Sequence, residues 1–272
     1  MALTVDQHIH SYFSGDSKTP MKDMIEAAIA KGLTCITFTE HMDYDYPVSD
    51  NDPAGKFEVN TDSYLYELLV NRSLYKDRIK ILFGIELGLQ PDIIRKNLLY
   101  IKNYNFDFVI GSAHLCNKKD PYYPSFFEGR SEEEAFAEYF ECVIENIKSF
   151  SNFDVFGHLD YIVRYCPTKT ANYSYAKYAD YIDTILKLLI EKEKGLEANT
   201  GAFRNGLSEP NPNLDILKRY KELGGEILTI GSDAHSPEYI GDQFEKTASQ
   251  LKECGFKYYC LFEDRMPEYK LL

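Results

Sequence analysis

Seven short apolar segments punctuate the 272-residue chain, and polar loops and amphipathic helices alternate with them. They read LTVDQ (3–7), TCITFT (34–39), KILFGIEL (80–87), FDFVIGS (106–112), FDVFG (153–157), GLEAN (195–199) and EILTIGS (226–232). KYYCLF (257–262) is a possible eighth. Strands separated by helices cannot be joined by hairpins, so each must cross over to a parallel neighbour. Seven or eight such units on this length predict an α/β barrel.

The intervening helices carry local signals. Thr19 and Pro20 are placed to cap and open a helix that stops near Gly32, with Met24, Ile25, Ala28 and Ile29 inward. Ser131 with Glu134 reads as a capping box before a helix whose apolar face holds Phe136, Phe140, Val143 and Ile147. Further helices are expected at 174–194, ending at Gly195, and at 213–223, ending at Gly224. One more ends at Gly255 and carries Phe244, Ala248 and Leu251 on one face. Two segments, 44–60 and 116–130, are too long for minimal connections and follow strands, where barrel loops build active sites. No repeat, low-complexity tract or linker divides the chain, which reads as a single domain over 1–272.

Composition narrows the partners. A formal charge of −13 with no basic block argues against nucleic acid as a main ligand, since phosphate neutralisation needs clustered Lys and Arg. The opening MALTVDQHIH lacks the pattern of a signal peptide, and no apolar run reaches the length of a membrane span. No membrane partner is therefore expected, and a cytoplasmic location is. The six cysteines are scattered without a CxxC pair and are expected to be free thiols. Nothing in the sequence reads out the oligomeric state.

The six histidines then stand out by position. His8 and His10 end the first strand; His41, His114, His158 and His235 each follow a later one. All six fall at or just past the C-terminal end of a candidate parallel strand, and in a barrel those ends converge on one face. Carboxylates keep the same register. Glu86 ends ILFGIE, Asp233 precedes His235 by two, and Asp16 lies in the loop after the first pair. Residues two apart on a strand share a side, so His8/His10 and Asp233/His235 can each present two ligands inward. A lone histidine at a strand end is more often a satisfied polar residue, and HxH alone is a weak signal. Here, however, no histidine falls elsewhere. Imidazole with carboxylate suits Zn, Mn or Fe(II), and nine ligands exceed what one divalent ion takes, so several ions are implied. No GxxxxGK[ST], GxGxxG or GxSxG is present, and Cys116 reads as a loop cysteine.

Taken in order, DQHIHSYFSGDS, FTEHMDYDYP, GIELG, GSAHL, FGHLD and IGSDAH resemble the successive motifs of the PHP (polymerase and histidinol phosphatase) superfamily. Within it, the histidinol-phosphate phosphatase branch is the closer match, from about residue 5 to residue 256. The resemblance implies a distorted (β/α)7 TIM-like barrel and three divalent metal ions. By motif, His8, His10, Glu86 and Asp233 resemble the first site; Glu86 would bridge to a second completed by His114 and His158. Asp16, His41 and His235 resemble the third. Among these ligands, Asp16, Glu86, Asp233 and His235 are expected to act directly in catalysis. The implied activity is hydrolysis of L-histidinol phosphate, a small-molecule phosphate ester of histidine biosynthesis. Another phosphoester, a phosphoprotein or an amide is the alternative.

Such chemistry suits the residues. Adjacent cations lower the pKa of a bridging water, supply hydroxide near neutral pH and bind phosphoryl oxygens. Arg164 and Arg204 stand after strands and are candidates to grip phosphate bidentately. Asp43 and Asp45, with the aromatic run Tyr122, Tyr123, Phe126 and Phe127, are candidates to receive the ammonium and imidazole.

Overall fold

The computed structural model describes residues 3–272. Seven strands pair in chain order, every pair parallel: β1 (Val5–Ile9), β2 (Cys35–Met42), β3 (Lys80–Gly88), β4 (Phe108–Ser112), β5 (Val155–Phe156), β6 (Gly195–Asn199) and β7 (Leu228–Gly231). The helices α1 (Met21–Ala30), α2 (Thr61–Leu74), α3 (Ile94–Asn103), α4 (Glu132–Ser149), α5 (Ala179–Glu191), α6 (Gly201–Arg204), α7 (Leu214–Glu222) and α8 (Phe244–Glu253) fall between or after them. No helix among the described residues is long and apolar enough to cross a membrane.

The ring closes irregularly, which is the distortion of this (β/α)7 barrel. The Asp233 N–H donates to the His8 carbonyl at 2.6 Å, and the His10 N–H donates to the Ala234 carbonyl at 2.9 Å, just beyond the end of β7. Asp6 supplements this seam by accepting from the Ser232 N–H at 2.9 Å.

KYYCLF is a strand, but outside the barrel. It forms β8 (Tyr258–Glu263), which pairs antiparallel with β9 (Met266–Leu271). The two-residue turn Asp264–Arg265 has φ of 50° and 64°, the geometry that joins a hairpin, so β8 takes its partner locally. The hairpin covers the N-terminal end of the ring. Its Phe262 and Cys260 pack with Phe108, Ile110 and Val155, and the Phe262 N–H donates to the Gln7 side chain at 3.1 Å. The opposite, C-terminal end is left for the loops.

Local differences from the sequence reading have identifiable causes. The Ser131–Glu134 capping box is present. Thr19 does not cap α1; its hydroxyl donates instead to the His235 carbonyl at 3.1 Å, and Pro20 occupies the cap position. α5 ends at Glu191, with Lys192 as its C-cap, before Gly195, because Glu193 adopts φ 57° and Gly195 already opens β6. α2 escapes the periodicity, because it leaves Tyr66, Leu69, Val70 and Leu74 exposed, which blurs its inward face of Tyr64 and Leu68. All six cysteines are free thiols.

Candidate metal centre

The nine candidate ligands selected from the sequence meet at the C-terminal end of the barrel, around Glu86. This carboxylate is fully buried on β3. Its Oε2 lies 3.2 Å from His8 Nε2, 3.5 Å from His10 Nε2 and 3.1 Å from His41 Nδ1. Its Oε1 lies 3.1 Å from His114 Nε2 and 2.9 Å from His158 Nε2. Asp233 Oδ1 faces His8 and His10 at 3.8 and 3.6 Å. Asp16 Oδ2 faces His41 Nε2 at 3.5 Å and His235 Nε2 at 3.2 Å. Three overlapping groups bring their ligand atoms within 4.8 Å of one another: His8/His10/Asp233, His41/Glu86/His114 and His10/His41/His235. His10 and His41 thus stand between sets that the motif resemblance keeps apart.

The local backbone is built for this convergence. Asp233 has φ 54°, a left-handed conformation that aspartate tolerates and that re-aims its carboxylate after β7. Gly231 is required beside it, since a Cβ there would lie 2.3 Å from His8 Cβ and 2.6 Å from Glu197 Oε1.

The outward nitrogens of His8, His10 and His114 are held by side-chain acceptors, while His158 Nδ1 is buried without one. His8 Nδ1 meets Glu197 Oε1 at 2.6 Å, His10 Nδ1 meets Ser14 Oγ at 2.9 Å, and His114 Nδ1 meets Asp43 Oδ1 at 2.8 Å. Ser14 in turn donates to the buried Glu40 at 2.6 Å, leaving a lone pair for His10 Nδ1–H. Such partners fix the tautomer that points a lone pair inward. Sequence reading missed Glu197, Ser14 and Glu40. Glu197, two residues before Asn199 on β6, was detectable as an inward carboxylate by its period of two.

Whether these residues fit cations can be judged from their unpaired atoms. His8 Nε2, His10 Nε2, His41 Nδ1, His235 Nε2 and Glu86 Oε2 are buried with no hydrogen-bond partner. Buried polar atoms are normally paired, and five electron-rich atoms aimed at one space are what a divalent cation takes. The donor set fits. Electrostatics agree: burial raises the Glu86 carboxyl, but His8, His114 and His41 outweigh it and hold it well below the usual carboxylate range. Burial likewise raises Asp233, and His8, Arg164 and Arg204 more than reverse this.

Above the centre opens a cavity of about 460 Å³, within the range that takes a small ligand. Arg164 is buried on its wall, donating from Nη1 to Asp233 Oδ2 at 2.9 Å, from Nη2 to Asn199 Oδ1 at 2.8 Å and from Nε to Asn211 Oδ1 at 2.8 Å. Arg204 lines the same wall and donates to the Ser232 and Asp233 carbonyls. Asp43 reaches the cavity, yet its Oδ1 is engaged behind His114. Asp45 lies outside and pairs with Lys96 at 2.6 Å on the surface. Tyr122 and Tyr123 line the cavity, whereas Phe126 and Phe127 are packed into the core. Asp120, not selected from sequence, lines the cavity and accepts from the Tyr46 hydroxyl at 2.6 Å.

The fold and site together define a class: a parallel barrel with a histidine–carboxylate centre at the C-terminal ends of its strands. Residues 6–201 match the model of the PHP domain, and the chain belongs to that family. Among its relatives, a probable histidinol-phosphatase of Clostridium acetobutylicum is 35% identical over 268 residues, covering 98% of this chain and 100% of that protein. A histidinol-phosphatase of Lactococcus lactis is 34% identical over 253 residues, covering 93% and 91%. The crystal structure of histidinol phosphate phosphatase from Lactococcus lactis, complexed with Zn, L-histidinol and phosphate, superposes with a TM-score of 0.89 at 33% identity. It covers 97% of this chain and 98% of that one.

Proposed function

We propose that this chain is a metal-dependent phosphomonoesterase that hydrolyses L-histidinol phosphate to L-histidinol and phosphate. The observation that carries the reading is one cavity lined by seven of the nine candidate ligands, by two arginines, and by acidic and aromatic side chains. The full-length relatives named histidinol-phosphatases support the substrate.

His8, His10, Asp16, His41, Glu86, His114, His158, Asp233 and His235 would hold the ions, three in our reading, with zinc or another divalent metal. Bound there, they would supply the Lewis acidity that activates water and offsets phosphoryl charge. The protein's own groups do the rest. Arg164 cannot swing, because three of its N–H groups are committed to Asp233, Asn199 and Asn211, so its remaining donors are presented to phosphate in a fixed direction. Arg204 presents a second set from a part-buried position. Burial of this floor excludes bulk water and strengthens both contacts.

Asp120, which also lines the cavity, is the acidic group we assign to the substrate ammonium, since Asp43 is engaged by His114 and Asp45 is outside. The rings of Tyr122 and Tyr165, with centroids 5.1 Å apart, offer faces and edges to an imidazole. A charge-assisted hydrogen bond contributes about 1.5–3 kcal/mol. Asp120→Asn is therefore expected to raise KM for histidinol phosphate about 10- to 100-fold, while leaving hydrolysis of an amine-free phosphomonoester within about threefold.

The direct test is phosphate release from L-histidinol phosphate, measured beside a panel of phosphomonoesters and a phosphotyrosyl peptide, with metal counted on the same sample. Marked preference for histidinol phosphate is the expected result. Metal retained without that hydrolysis would sink the substrate assignment and leave the centre standing.

A further inference from the structure

Glu197 is not among the nine ligands, yet its surroundings leave it only one arrangement. Its Oε2 faces two donors: the His158 backbone N–H at 3.0 Å and Asn199 Nδ2 at 3.0 Å. The first is backbone and cannot reverse. The second is fixed because Asn199 Oδ1 accepts from Arg164 Nη2 at 2.8 Å and from the Gly201 N–H at 2.9 Å, both of which can only donate. Oε1 is left for His8 Nδ1, at 2.6 Å. A carboxylate can only accept there, so the proton of a neutral His8 sits on Nδ1 and the Nε2 lone pair faces Glu86 Oε2 and Asp233 Oδ1.

We infer that Glu197 is a positioning residue that sets the His8 tautomer, and that the chain of fixed donors from Arg164 and Gly201 through Asn199 makes this setting irreversible. The inference rests on the reading of His8 as a metal ligand and extends it to a residue that touches neither ion nor substrate. Its consequence is specific to one substitution. In Glu197→Gln the amide oxygen must take the Oε2 position, because two donors face it. The amide NH2 then points at His8 Nδ1, which must accept, and the imidazole proton moves to Nε2. His8 is then held with a hydrogen, in place of a lone pair, toward the metal space. At alkaline pH, where the metal-free His8 is neutral, the fold loses no ion pair by this, since Nε2–H can donate to Glu86. An amide substitution of the same size thereby separates metal binding from folding.

The test uses purified full-length protein and Zn(II). Zinc affinity is measured by competition with a chelator, and thermal unfolding is followed after metal removal. The expected result is a 10- to 100-fold weaker affinity for at least one ion in Glu197→Gln, with the metal-free melting temperature, taken at alkaline pH where His8 carries no charge to pair with Glu197, within about 3 °C of the parent. Equal zinc affinity in variant and parent would overturn the proposal. So would a metal-free variant that melts far below the parent, because that marks a purely structural role. A second measurement needs no variant: long-range proton–nitrogen correlation spectra of the zinc-loaded parent, with His8 assigned. A proton on His8 Nδ1 supports the inference, and a proton on Nε2 overturns it. If the parent itself retains no zinc, the ligand assignment fails, and that failure is visible before the variant is examined.

Discussion

Glu86→Gln is expected to lower kcat/KM for L-histidinol phosphate by about 10³-fold or more and to reduce the metal content of the purified protein by at least one ion per chain. Five imidazole nitrogens lie within 3.5 Å of the two Glu86 oxygens. No other carboxylate in the centre faces as many. A glutamine keeps the size and could still accept from Ser112, which now donates to Oε1 at 2.7 Å. It carries no charge, however, and its NH2 would point hydrogens at the lone pairs of His8, His10 and His41 or of His114 and His158. Cations and the ligands that share them contribute several kcal/mol of transition-state stabilisation, and each 1.36 kcal/mol is tenfold in rate. The barrel is expected to survive, because β3 is held by full ladders to β2 and β4 on either side and the lower core is untouched. Rates with added Zn(II) or Mn(II), metal per chain and a melting curve decide it. A variant with parental metal content and a rate within tenfold of the parent would show that Glu86 does not join the ions.

The sequence made some of this visible and hid the rest for physical reasons. Six of the seven parallel strand ends, all but that of β6, are marked by a histidine or carboxylate of the candidate set, and the six histidines located the C-terminal face of the barrel without any pairing information. The partners behind the ligands were harder. Glu197, Ser14 and Glu40 are ordinary polar residues, and only their burial and proximity across β1, β2 and β6 distinguish them. Asp43 and Asp45 looked alike in one acidic loop; φ 57° at Asp45 turns it outward to Lys96 while Asp43 stays behind His114. KYYCLF has the composition of a barrel strand, and only its turn, where two non-glycine residues adopt positive φ, sends it into a hairpin. Period and composition report which face is buried. They do not report which neighbour buries it.

Removal of metal is expected to lower the melting temperature strongly and in a pH-dependent way. Without cations, the charge that offsets Glu86, Asp16 and Asp233 comes from protonated imidazoles. Burial lowers His8, but Glu197, Glu86 and Asp233 raise it well above 6.5; Asp16 and Glu86 do the same for His41, and Asp43 and Glu86 for His114. For a group whose folded value is raised, the stability it contributes is fully present below the unfolded value of 6.5. It is lost as pH rises through the folded value. His10 runs the other way. Burial and the neighbouring His235, His41 and His8 hold it well below 6.5, and burial lowers His158 too, so their contribution is lost as pH falls below 6.5. The metal-free protein should therefore be most stable near pH 6.5 and weaken on either side. The loaded protein should behave differently, because ligands must be unprotonated to bind, and binding tightens as pH rises. An ion at about 1,000 times its Kd contributes about 4 kcal/mol, which at 2–4 °C per kcal/mol is roughly 10 °C per site. The gap between loaded and chelated melting curves is thus expected to be small at pH 5 and to widen steadily to pH 8, with activity returning when Zn(II) is restored. A gap that stayed constant across this range would mean that protons and cations do not compete for these six histidines, and the centre would have to be redrawn.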